Sequence, residues 1–283
     1  MTLKDLVAEE LSRPVDPRVT EMARAIAGEY GEASRAVLFY GSCLRDQPIE
    51  GSMLDFYLIV SDYSSAYTKR WQAVVNALIP PNVFPFAHGG LAAKYAVLSE
   101  ADFHRLNGPE TLNVSVWARF AQPSRLVWAK DDAAHEKAVA AVARAAPALL
   151  GAAGRQRGED ILEWWRRAFS LTYSAELRAE RKGRAKSVVD GEPERYRRFG
   201  EAALQLVPSN SGKWGLRRAQ GKALSVIRLA KASATYAGGA EYIAWKINRH
   251  AGTAIELKPW QKRHPLLGAL SLLPRLLSSG AIR

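Results

Sequence analysis

The sequence predicts an α+β protein, with a mixed sheet flanked by helices followed by a mostly helical second half. Three observations carry this. Of the 283 residues, 48% are hydrophobic, enough to bury a sizeable core and too many for general disorder. Short β-rich apolar runs crowd the first half, at 36–40, 53–60, 91–98 and 125–129, interleaved with helical spacing. After residue 158 the apolar spacing is helical.

Taken in order, Lys4 to Leu11 and Pro17 to Tyr30 have helical periodicity, and Asp16 followed by Pro17 is an N-cap and first-turn pair. Ala36 to Tyr40 reads as a buried strand ending at Gly41. A polar loop with Pro48 and Gly51 leads to a second strand, Met53 to Val60. Trp71, Val74, Val75 and Leu78 set a helix between Ser65 and Ile79, which Pro80-Pro81 stops. Leu91 to Leu98 is a third strand, and Ser99 with Asp102 resembles a capping box opening a short helix. Leu112 to Trp117 fits strand or helix. Arg125 to Ala129 reads as a strand and Asp132 to Leu150 as an alanine-rich helix. Asp160 to Arg181, Pro193 to Leu206 and Gly215 to Tyr236 read as helices, with Trp164 and Trp165 as packing residues.

Glycine and arginine interrupt the pattern near 151–158, which predicts a first domain over 1–150 and a helical domain over 151–255. Residues 256–283 differ again: a leucine band, broken by Pro274, is flanked by Lys258, Lys262, Arg263, Arg275 and Arg283. That tail is too short to span a bilayer, which takes ~20 apolar residues. It suits an amphipathic segment on an anionic membrane surface or a helix packed on the protein's own core.

The charge balance is basic, 40 Lys and Arg against 28 Asp and Glu, a formal net charge of +12. An anionic partner is expected: nucleic acid, an acidic membrane or a phosphorylated substrate. The sequence carries no RNA-binding motif, which disfavours nucleic acid. Cys43 is the single cysteine, so disulfides and thiolate clusters are excluded, and the five His lack metal-ligand spacing. The N-terminus matches neither a signal nor a transit peptide. The expectation is a cytoplasmic protein, peripheral on the inner face of the membrane.

One constellation carries chemistry. Gly41-Ser42 follows the first strand, and Asp55 lies within the second, sharing a face with Met53, Tyr57 and Ile59. A carboxylate on so apolar a strand is costly unless it is paired or binds a cation. Glycine lets backbone amides approach a phosphate, and Ser42 adds a hydroxyl. Together these suit a nucleoside triphosphate with a divalent metal, expected to be Mg²⁺. The alternative is a strand-ending glycine, a helix-capping serine and a solvent-facing aspartate.

Strand, Gly-Ser, loop and strand-borne Asp resemble the DNA polymerase β-like nucleotidyltransferase superfamily, with Tyr57 where that pattern has its second acid. Tyr40-Gly41-Ser42 and Met53-Leu54-Asp55-Phe56 are more similar to one branch, the mitochondrial-type phosphatidate cytidylyltransferases of the translocator assembly and maintenance family. Lys94-Tyr95-Ala96-Val97, Arg119 to Pro123, Leu171 to Arg178 and Arg218 to Lys222 extend the resemblance in the same order. It implies a nucleotidyltransferase-type sheet and the reaction of CTP with phosphatidate to give CDP-diacylglycerol and pyrophosphate. It also implies Asp55 and Glu176 as metal ligands, Asp55, Ser42 and Glu176 as catalytic residues, and Gly41 and Ser42 on the triphosphate. Lys94, Arg178 and, more weakly, Lys186 are candidate phosphate contacts. Arg217, Arg218 and Lys222 form a basic helical start facing either the substrate phosphate or solvent. Two competing readings are a nucleotidyltransferase acting on RNA or another small phosphorylated acceptor, and a non-catalytic relative that binds nucleotide or lipid.

Overall fold

The computed structural model describes residues 1–44, 48–175, 188–208, 212–235 and 258–263. Its centre is a five-stranded mixed sheet of order β3-β4-β2-β1-β5. The strands are β1 (Ser34–Tyr40), β2 (Met53–Val60), β3 (Asn82–His88), β4 (Leu91–Ser99) and β5 (Ser124–Ala129). β1 runs antiparallel to both β2 and β5, β2 pairs parallel with β4, and β3 is antiparallel to β4. This is an α+β fold, as the alternating strand and helix patterns predict.

Side-chain alternation divides the sheet into two apolar faces. On one face Val37, Phe39, Phe56, Leu58 and Val97 pack against α2 (Pro17–Gly28) through Met22, Ala23 and Ile26. Asp16 caps α2 by accepting from the Arg18 amide at 2.9 Å, and Pro17 follows it. On the other face Leu38, Tyr57, Ile59 and Leu98 meet the larger helical layer. That layer comprises α1 (Leu3–Leu11), α5 (Glu100–Leu106), α6 (Trp117–Phe120), α7 (Asp132–Val142), α8 (Ala145–Ala153), α9 (Ile161–Ala175) and α10 (Pro193–Ala203). Trp164 and Trp165 are buried in it, with Trp165 stacked on Phe169 at 5.7 Å. The boundary expected at 151–158 falls between α8 and α9, and the core runs across it without a break from Leu3 to Ala203.

Several elements differ from expectation. β3 is an additional strand that the sequence pattern did not announce. The helix expected over 65–79 is two, α3 (Tyr63–Ala66) and α4 (Arg70–Leu78). The alanine-rich stretch divides at Ala143-Arg144 into α7 and α8. Residues 112–116 form neither strand nor helix, and the short α6 follows them. The tail 264–283 lies outside the described residues, which end with the short α12 (Pro259–Arg263). Among the described residues no helix is long and apolar enough to cross a membrane.

One close contact joins two helices of the second half, and another ties that half to the first. In α11 (Trp214–Thr235), Gly221 passes so close to α9 that a Cβ there would meet the Ala175 carbonyl oxygen at 2.1 Å. The second contact is the buried ion pair of Glu10 on α1 with Arg195 on α10, in which Arg195 Nη2 donates to Glu10 Oε1 at 2.8 Å. Arg195 also donates to the Ala121 carbonyl at 3.1 Å and lies over the Phe199 ring at 4.2 Å. A buried pair is held by mutual charge, and removing one partner strands the other. Glu10→Ala is therefore expected to destabilise the protein by about 3–5 kcal/mol, read from urea unfolding midpoints. The double variant Glu10→Leu with Arg195→Met should recover part of that loss.

Candidate active site

The sheet register assembles the site. Tyr40 on β1 pairs with Asp55 on β2, and Asp55 pairs with Lys94 on β4. Residues paired directly across strands share a face, so Tyr40, Asp55 and Lys94 form one polar row across three strands. Ser124 and Pro85 continue the row on the two edge strands.

Lys94 Nζ lies 2.9 Å from Asp55 Oδ1, with the two side chains 25% and 22% exposed. Oδ1 is buried and receives no aligned hydrogen bond, so charge attraction, not donor geometry, holds the pair. The other carboxylate oxygen faces the turn. Gly41 ends β1 with φ +103, and a Cβ there would stand 3.0 Å from Asp55 Oδ2. The turn can lie this close to the carboxylate because Gly41 has no side chain and tolerates that backbone angle. Ser42 then opens a single tight turn, Ser42–Leu44, whose Leu44 amide donates to the Gly41 carbonyl at 3.3 Å.

An aromatic wall backs the row. Tyr40 and Tyr57 ring centroids are 5.3 Å apart, Tyr57 and Phe120 5.2 Å, and Phe120 and Phe103 4.9 Å. Tyr57, where the resemblance would place a second acid, is buried inside this wall. Burial, and next the Asp55 charge, push the Tyr40 phenol well above its ordinary range. The hydroxyl stays protonated and remains a donor at neutral pH. Burial likewise raises the Cys43 thiol, which disfavours a thiolate nucleophile.

Arg119 on α6 is a cation beside the row that the sequence placed in a motif without assigning it a role. Its guanidinium carbon lies 5.9 Å from the Tyr40 ring centroid, and its Nη1 donates to the Ser115 carbonyl at 2.8 Å. Arg228 on α11 reaches the same residue, donating to Ser115 Oγ at 3.0 Å. Two guanidinium groups thus converge on Ser115.

The remaining expected residues separate. Arg218 and Lys222 are exposed on α11. Arg217 differs from a phosphate-facing side chain: it is buried, donates to the Thr111 and Leu112 carbonyls at 2.9 and 3.2 Å, and lies 5.8 Å from the Trp117 and Trp214 rings. Its bonds brace α11 against the segment before α6, and burial lowers its pKa. Glu176, Arg178 and Lys186 lie outside the described residues.

Among the described residues no cluster of three His, Cys, Asp or Glu is placed to cage a metal. Mg²⁺ that accompanies a nucleotide needs less, one or two carboxylates with phosphate oxygens and water completing its shell. Asp55, with a buried oxygen lacking an aligned donor, fits that mode of binding. A cation arriving there competes with Lys94 for the same charge.

No family model matches the chain, and no curated protein matches it. Among solved structures, a nucleotidyltransferase-like protein from Exiguobacterium sibiricum 255-15 aligns over 93% of this chain and 92% of its own, with 12% identity and a TM-score of 0.30. At that distance no residue role transfers between them.

Gly41→Ala should cost about 1–3 kcal/mol of stability for the strained backbone and should weaken nucleoside triphosphate binding at least tenfold, read by calorimetric titration. Gly89→Ala is the control. Gly89 has φ +56 with open space around it, so it should carry a comparable strain cost and leave binding unchanged.

Proposed function

We propose that this chain is a Mg²⁺-dependent nucleotidyltransferase that transfers a cytidylyl group from CTP to phosphatidate at a membrane surface. The observation that supports this best is the Asp55 carboxylate set against Gly41 on one side and Lys94 on the other. A side-chain-free turn beside a charged, partly buried acid suits phosphate and cation together. The choice of CTP and phosphatidate rests on the resemblance of Tyr40-Gly41-Ser42, Met53 to Phe56, Lys94 to Val97 and Leu171 to Arg178 to the cytidylyltransferase motifs.

In this reading Asp55 would hold Mg²⁺, which would supply charge neutralisation on the triphosphate. Glu176, next in sequence after Ala175, is the candidate second carboxylate. Gly41 leaves room for the phosphates, and the Ser42 hydroxyl donates to them. Lys94, paired with Asp55, is the cation that would contact a phosphate oxygen of the nucleotide. Arg119 adds positive charge at the same end of the sheet, and the exposed Arg218 and Lys222 are candidates for the acceptor's phosphate.

The acceptor oxygen belongs to a phosphate monoester whose second pKa is about 6, judged from phosphorylated side chains. It is largely ionised at neutral pH, so attack needs no strong general base. The oxygen bonds to the α-phosphorus of CTP while the bond from that phosphorus to the bridging oxygen breaks, and pyrophosphate leaves with the electron pair. Alignment and charge neutralisation carry the catalysis.

Incubation with each common nucleoside triphosphate, Mg²⁺ and phosphatidate micelles, followed by pyrophosphate release, tests the proposal. CTP-dependent turnover is expected, and Asp55→Asn should reduce it by about a hundredfold or more. Equal turnover in the variant would remove Asp55 from the chemistry. Turnover only with a different acceptor would remove phosphatidate as the substrate.

A further inference from the structure

Helix α4 is inside out. Its one buried residue is polar, Asn76, whereas Trp71, Val74 and Leu78 are 50%, 57% and 74% exposed. Steps of three and four residues place those side chains on one face. The orientation is firmly fixed. Asn76 Nδ2 donates to the Val97 carbonyl at 3.0 Å and to the Tyr67 hydroxyl at 3.2 Å, and Asn76 Oδ1 accepts from the Asn82 amide at 2.5 Å. Rotating α4 to bury its apolar stripe would break all three bonds and leave buried polar groups unpaired, which is costly. The outward apolar face is therefore built in.

Along α4 and its N-cap the charge has one sign. Lys69 and Arg70 open the helix, both exposed. Cations at a helix N-terminus oppose the helix dipole, so they do not serve the helix itself. From Tyr63 to Ser99 the sequence contains no Asp or Glu.

We infer that α4 is a membrane-docking element, with Trp71, Val74 and Leu78 entering the interface of an anionic bilayer and Lys69 and Arg70 contacting its headgroups. Apolar residues with an interfacial tryptophan beside basic residues are the combination such a surface takes up. A parallel symmetric pairing of two copies through this face would bring each Lys69–Arg70 pair toward its own duplicate, and like charges oppose that. The choice of a bilayer also rests on the lipid acceptor proposed above. The segment is separate in sequence from the tail over 256–283.

The test is flotation of the full chain with phosphatidylcholine vesicles, with and without phosphatidylglycerol, in the absence of nucleotide. Binding is expected to require the anionic lipid and to fall about tenfold in Trp71→Ser with Leu78→Ser, and severalfold in Lys69→Gln with Arg70→Gln, the tail remaining intact. All four positions are exposed, so thermal midpoints should stay near wild type. Repeating the assay in Asp55→Asn separates the two proposals, because docking should persist there whatever becomes of turnover. Vesicle binding that is absent in wild type, or unchanged in both α4 variants, would overturn the inference. So would an α4-dependent dimer, or α4-dependent RNA retention, without vesicle binding.

Discussion

A carboxylate set beside an apolar core must be given a counter-charge, and in this fold the sheet supplies one. Asp55 lies in the middle of a strand whose other residues pack tightly, and parallel pairing brings Lys94 directly alongside it. The contact is an ion pair at 2.9 Å, without an aligned hydrogen bond to the buried oxygen. In the proposed function a divalent cation would take the place of Lys94 beside Asp55, and a phosphate would take the place of Asp55 beside Lys94.

The rest of the structure serves that row. The aromatic wall of Tyr40, Tyr57, Phe120 and Phe103 excludes water from one side and strengthens every charge interaction on the other. Tyr57 contributes to the wall where an acid would contribute to a metal, so β2 itself offers one carboxylate. Behind the wall the Glu10–Arg195 pair reaches the Ala121 carbonyl, just after α6, and thereby helps fix the helix that carries Arg119. Stability and site geometry share these residues.

Much of this was legible in the sequence, and the exceptions have physical causes. β1, β2 and β5 follow from apolar runs, and the Asp16-Pro17 start of α2 from cap chemistry. β3 was hidden because Pro80, Pro81 and Pro85 argue against a strand, yet an edge strand accepts a proline whose missing amide is not needed by the ladder. The Asp55–Lys94 contact was not derivable from spacing, since it depends on β4 pairing with β2 while the intervening β3 takes the edge. Lys94 was singled out through its motif alone. Arg217 misled because a basic residue near a helix start gives no sign of whether it faces water or carbonyl groups. The periodicity of Trp71, Val74 and Leu78 correctly indicated a helix, but periodicity shows only that a stripe exists, and a buried Asn76 turned this one outward.

The central claim is that the Asp55 carboxylate grips a cation carrying a nucleotide's phosphates over the Gly41 turn. Its most direct test is an anomalous difference map from crystals grown with Mn²⁺ and CTP. A metal peak is expected beside Asp55 Oδ1, with Lys94 Nζ withdrawn onto a phosphate oxygen and the triphosphate lying across Gly41 and Ser42. A bound nucleotide elsewhere, with the Asp55–Lys94 pair intact and no metal beside it, would contradict the account.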